Sequence, residues 1–206
     1  MSLDNQIKMD VIELEVNKKF ITVGKFPMIV SYSRIAPMNR EIHELEESAT
    51  PVDVFYADFS GMNMDFPRTI VIQDTSGGDN EGAVVILTGM DARGRPITET
   101  LTMDNTGEVS SKNAFQFLSR IQAVEVPANT LSVCLGNAWG FGIDLGYIQF
   151  LGMSQSDGNN SSQGQFHPAD EVGEGPIFVV DNDYDTVLIT TDLISNNGTH
   201  LTFFFV

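Results

Sequence analysis

Cys134, His43, His167 and His200 are the side chains best equipped for nucleophilic, acid–base or metal chemistry, and their surroundings limit what they can do. The thiol lies in the apolar run Leu131-Ser132-Val133-Cys134-Leu135 with no histidine near it in sequence. A catalytic cysteine needs an activating base, so a buried, inert thiol is expected. The histidines fall in separate segments, none with a second histidine or a cysteine at ligand spacing, and none in an HExxH pattern. Solvated or locally bonded imidazoles are expected.

Asp181, Asp183 and Asp185 occupy the first, third and fifth places of a calcium loop, and Asp192 falls at the twelfth. Thr186 stands where such a loop needs glycine, and Thr186 to Thr191 has the composition of a strand that would carry the last carboxylate away. The segment therefore reads as a hairpin turn between Val180 and Val187. Gly136 to Gly142 is glycine-rich but has no basic residue for a phosphate. Its aromatic pair, Trp139 and Phe141, is expected to pack across a turn, with a sugar-stacking, surface-recognition turn as the alternative. There is no G-x-S-x-G elbow and no P-loop, and nothing selects a carboxylate pair suited to glycoside cleavage. The expectation is a non-enzymatic chain that needs no cofactor and no metal.

Composition points the same way. Of 206 residues, 28 are Asp or Glu against 11 Lys or Arg, a formal net charge of −17. Phosphate backbones and anionic membrane surfaces both call for a basic patch, so neither nucleic acid nor membrane is the expected partner. The same charge makes subunits repel, and any self-assembly must rest on apolar or hydrogen-bonded contacts. A single cysteine excludes an intrachain disulfide. Met1 to Asp10 lacks the apolar run of a signal peptide, and synthesis in a cytoplasm is expected.

Turn residues are frequent, with 18 Gly and 8 Pro, and short β-branched or aromatic runs lie between them. Strands are expected at Val11 to Val16, Phe20 to Val23, Met28 to Tyr32, Val52 to Tyr56, Thr69 to Ile72, Ile177 to Val180, Thr186 to Thr191 and Leu201 to Val206. The clearest unit is the hairpin Ala83 to Gly89, turn Met90 to Pro96, return Ile97 to Met103. There Gly94 supplies a positive backbone angle, and Pro96 opens the return strand without a ladder donor. Asn39 to Ala49, with Ile42 and Leu45 as its apolar positions, reads as a short surface helix or an exposed loop. Asn113 to Ala123 reads as a strand. Met153 to Gly175, polar and of low complexity over Ser154 to Gly164, reads as a long exposed loop. The expected fold is all-β: an antiparallel sandwich or jelly-roll-like barrel with at most one short helix. The expected organisation is a flexible arm over residues 1–10 and one β domain over 11–206.

The chain ends Leu201-Thr202-Phe203-Phe204-Phe205-Val206, and consecutive aromatics on a strand cannot all face one way, so both faces must be covered. Two readings stay open: a central strand of a two-layer core, or a strand with one face on a neighbouring subunit. Phe203, Phe204 and Phe205 are the candidate interface residues, with Leu3 and Ile7 of the amino-terminal arm.

The stretch Val85-Ile86-Leu87-Thr88-Gly89-Met90-Asp91-Ala92-Arg93-Gly94-Arg95-Pro96-Ile97-Thr98-Glu99-Thr100-Leu101 resembles a hairpin of tailed-phage virion proteins, in which a strand ending T-G-x-D meets a glycine turn and then I-T-E-T. Lys112 to Phe115, Ile121 to Val124 and Leu131 to Leu145 follow in the order seen there. The resemblance covers roughly residues 83–145. Met90 stands where a small polar residue is usual. It implies a capsid decoration (cement) subunit on the virion surface, often trimeric, with itself and the major capsid protein as partners. A head fibre or receptor-binding module recognising host-surface glycans, carried by the Trp139 turn and the Ser154 to Gly164 loop, is the alternative.

Overall fold

The computed structural model describes residues 13–16, 19–22, 28–35, 40–48, 50–55, 67–75, 80–126, 130–156, 165–169, 178–190 and 199–206. Every regular element among them is a β-strand, and every strand pair is antiparallel. The expected all-β class is what the chain adopts, with antiparallel sheets and a curled half-barrel. Strand β1 (Glu13–Val16) pairs with β2 (Lys19–Thr22) as a separate two-stranded unit. The proposed arm over residues 1–10, with Leu3 and Ile7, lies outside the described residues.

The hairpin expected from the sequence is formed by β7 (Val84–Met90) and β8 (Pro96–Thr102), with Met90 opposite Pro96 closing the ladder. Alternation sets its faces: Val85 and Leu87 are fully buried, whereas Thr98, Thr100 and Thr102 are exposed. Its turn is held by the Asp91 carboxylate, whose Oδ1 accepts from the backbone N–H groups of Arg93 and Arg95, each at 2.8 Å. Gly94 adopts φ 73° there. Strands β10 (Phe117–Ala123) and β5 (Val52–Phe55) complete a four-stranded sheet ordered β5-β10-β7-β8.

A six-stranded sheet is centred on β11 (Leu131–Gly140), the longest strand. It is flanked by β6 (Arg68–Asp74) and then β9 (Glu108–Ser110) on one side. On the other side lie β15 (Thr186–Ile189) and β14 (Phe178–Asp181), and β4 (Glu41–Leu45) also pairs with β11. The strand β4 corrects the reading of Asn39 to Ala49 as helix or loop. A register shift between Val133 and Cys134 of β11 leaves Ile42 bulged, so Ile42 and Leu45, three apart, both pack on the same core. That bulge imitates helical spacing.

The last sheet runs β13 (Gln165–Pro168), β12 (Phe150–Ser156), β16 (Thr199–Phe205) and β3 (Met28–Ile35). It corrects two stretches of the long exposed loop expected over Met153 to Gly175, whose residues 157–164 and 170–175 lie outside the described residues. Residues 153–156 and 165–168 are paired strands, and Met153 is fully buried opposite Phe203. Backbone pairing with the carboxy-terminal strand extends this polar stretch regardless of its composition.

Two cores result. The first gathers Leu45, Ile70, Ile72, Val85, Leu87 and Phe115 with their neighbours. The second is aromatic, built on Trp139, Phe150, Phe203 and Phe205. One strand serves both, because β11 gives Leu131, Val133 and Leu135 to the first and Trp139 to the second.

Candidate functional site

Strict alternation divides the terminal phenylalanines. Phe203 and Phe205 are fully buried in the second core, where Phe203 meets Phe141 at 4.7 Å and Phe205 meets Phe150 at 5.5 Å between ring centroids. These two candidate interface residues therefore offer nothing to a partner, because β16 lies between β12 and β3 and turns both rings inward. Phe204 points the other way and is half-buried.

Around Phe204 the outer face of this sheet has a definite composition. Phe204 is opposite Ile29 of β3, which is 39% exposed, and opposite Gly152 of β12. The Phe166 ring packs edge-on to Phe204 at 5.4 Å and lies across Gly152, where a Cβ would come within 2.8 Å of it. Gly152 at φ 147° thus gives the Phe166 ring its seat. One step along, Ser31 and Thr202 are joined by a hydroxyl–hydroxyl hydrogen bond of 3.0 Å. None of the four strands carries an aspartate or a glutamate. In a chain of net charge −17, this sheet is free of the side chains that make subunits repel. Ile29, Gly152 and Phe166 were not among the residues singled out from the sequence. The signal that could have found them is the run of acid-free strands itself.

Trp139 corrects the surface-recognition reading. It is fully buried, on a strand rather than a turn, between the rings of Tyr32 at 6.1 Å and Phe203 at 5.7 Å. No face of the indole is open to a sugar. Phe141 packs partly buried against the same core. Burial in this aromatic nest pushes the Tyr32 hydroxyl up to about 12.

The residues equipped for chemistry are placed apart. Cys134 is buried, donates to Gln73 Oε1 at 3.6 Å, and has its thiol pushed up to about 11, first by burial and then by the charges of Glu41 and Glu108. His43, His167 and His200 lie on β4, β13 and β16. Burial lowers the His43 imidazole against the opposing pull of Glu41 and Glu44.

In the acidic turn, Asp181 Oδ1 accepts from the backbone N–H groups of Asp183 at 3.0 Å and Tyr184 at 3.2 Å. Asp185, at φ 53°, accepts from Leu145 N through Oδ1 and pairs with Arg93 through Oδ2, both at 2.8 Å. Asp181 and Asp185 thus serve different structures, as a hairpin turn between β14 and β15 requires. Among the described residues no three His, Cys, Asp or Glu side chains converge as metal ligands.

No protein-family model matches this chain, nor does any curated protein or solved structure.

Proposed function

We propose that this chain is a non-enzymatic structural subunit that self-associates through the outer face of the β13-β12-β16-β3 sheet and coats a larger protein assembly. The observation that carries the reading is the acid-free, partly apolar surface of Ile29, Phe166 and Phe204 on an otherwise strongly acidic molecule. Charges of one sign repel across a few ångströms of interface, and desolvating them costs more than salt screening returns. Copies therefore meet most favourably where no carboxylate must be buried. The likeness of the β7–β8 hairpin to those of tailed-phage virion proteins supports reading that assembly as a capsid. In that form the subunit is a decoration protein that binds the major capsid lattice and stabilises it by its binding free energy. Many copies bridging many seams would add through effective concentration.

The test is light scattering of the purified chain beside Phe204→Asp and Ile29→Asp, with circular dichroism as the check on folding. Oligomers in the parent that fall to folded monomers in both variants support the proposal. A parent that is monomeric at micromolar concentration overturns self-association, as do variants that keep the oligomer. Adding the protein to expanded capsids stripped of decoration then tests the coat. Raised heat resistance supports it, and unchanged heat resistance refutes the capsid assignment.

A further inference from the structure

The six-stranded sheet ends at β14, and among the described residues no strand pairs with its outer edge. Its valines are unusually open, Val179 at 48% and Val180 at 39% exposed. They lie on opposite faces of the strand. Val179 is opposite Leu188 on the outer side, while Val180, on the side of Phe178, faces the loop that runs into β12. That loop presents Tyr147, 89% exposed. Tyr147, Ile148, Phe150 and Val180 line a groove of about 390 Å³ beside this edge. An edge strand that no described strand pairs, with apolar side chains and no lysine or proline of its own, is a template for another strand.

Charge identifies what fits it. No lysine or arginine follows Arg120 in the sequence, whereas ten aspartates and glutamates do. Around the groove, Asp144, Asp181 and Asp183 are exposed. Arg93, which reaches this region from the hairpin turn, is held by Asp185 and by the Gly142 carbonyl at 3.1 Å, Arg95 is paired with Asp91, and the Lys112 ammonium lies over the Tyr184 ring at 5.6 Å. A second copy of this edge would bring like charges together, and nucleic acid would be repelled outright.

We infer that β14 and the Tyr147 groove accept an extended, lysine- or arginine-flanked segment of a different protein, added as a further strand to the six-stranded sheet. Backbone hydrogen bonds to β14 supply its alignment. Alternate apolar side chains of the incoming segment enter the groove between Tyr147 and Val180, and basic residues at its ends meet Asp144, Asp181 and Asp183. This surface shares no residue with the Phe204 face, so the two stand or fall separately.

The experiment is selection of a random dodecapeptide display library on the full-length protein, with parallel selection on Tyr147→Ala combined with Val179→Lys. Tyr147 and Val179 are both exposed, and circular dichroism checks that the double variant folds. The expected result is a family of alternating apolar sequences with basic ends. A synthetic peptide of that consensus should bind at least about tenfold more weakly to the double variant, and more weakly at high salt. Its binding should also slow amide exchange across residues 178–181. A selection with no consensus overturns the inference, as does an acidic or neutral consensus, or one recovered equally on the double variant. Light scattering of the Phe204 variants reads the self-association face independently of all these outcomes.

Discussion

The guanidinium carbon of Arg68 lies 4.8 Å from the ring centroid of Trp139, and both side chains are shut away from solvent. The contact marks the point where one strand passes from the first core to the second. Leu135 is opposite Ile70 and Trp139 is opposite Arg68, so β11 places Gly136, Asn137 and Ala138 against Thr69 alone. Arg68 closes this bulge by donating to the Gly136 carbonyl from Nε at 2.7 Å and again from Nη2. Hydrogen bonds from a charged donor contribute about 1.5–3 kcal/mol, and a desolvated cation over an indole about 2 kcal/mol.

Replacing Arg68 by Met, which keeps much of the stem, removes both. The expected loss is about 3 kcal/mol, read as a lower urea midpoint at unchanged slope. Trp139 is the single tryptophan, so its fluorescence follows the second core directly. A loss below about 1 kcal/mol would mean that the bulge holds without the guanidinium.

The two glycines of the β7–β8 hairpin make separable demands. A methyl group at Gly89 would collide with the Phe117 carbonyl oxygen and come within 3.0 Å of the Phe115 ring, because the register shift in β10 pushes that backbone toward β7. Gly94 has nothing within 4 Å of such a methyl but sits at φ 73°. Gly89→Ala is therefore expected to destabilise by about 3 kcal/mol through overpacking. Gly94→Asn, which tolerates the left-handed region, should change stability by less than about 1 kcal/mol. Thermal melts of the two variants check the contrast, and equal losses would contradict it.

Alkaline pH should unfold the chain through its buried acids. The Cys134 thiol is raised from 9.0 to about 11 and the Tyr32 hydroxyl from 10.0 to about 12. In each case the unfolded chain ionises first and binds fewer protons than the folded one, so stability falls as pH rises. It is fully present below about pH 9 and declines between pH 9 and 12. Melting midpoints across this window should drop less steeply in Cys134→Ala and Tyr32→Phe. Native protein at about pH 8 should resist iodoacetamide and label at Cys134 once denatured. Rapid native labelling would show an open thiol.

What the sequence determined follows from chemistry acting within a few residues. Alternation placed β3, β5, β7, β8, β15 and β16 close to where they lie, because a strand's side chains change face at each residue whatever its neighbours are, whereas the apolar positions of Asn113 to Ala123 fit either period and context made β10 a strand. The hairpin was legible for the same reason, with Gly94 and Pro96 marking its turn. The terminal phenylalanines were legible as a strand needing cover on both faces. Tertiary structure alone decided which cover each received. Pairing of β16 with β3, from opposite ends of the chain, and with β12 turned Phe203 and Phe205 inward and left Phe204 beside Ile29. It also made strands of the polar segments at 153–156 and 165–168, where backbone hydrogen bonds outweigh composition. Bulges concealed the rest. At Ile42 one imitates helical spacing, and at Gly136 to Ala138 another makes a glycine-rich strand read as a turn. A bulge is fixed by the strand across from it, so no local pattern announces that Trp139 will be core.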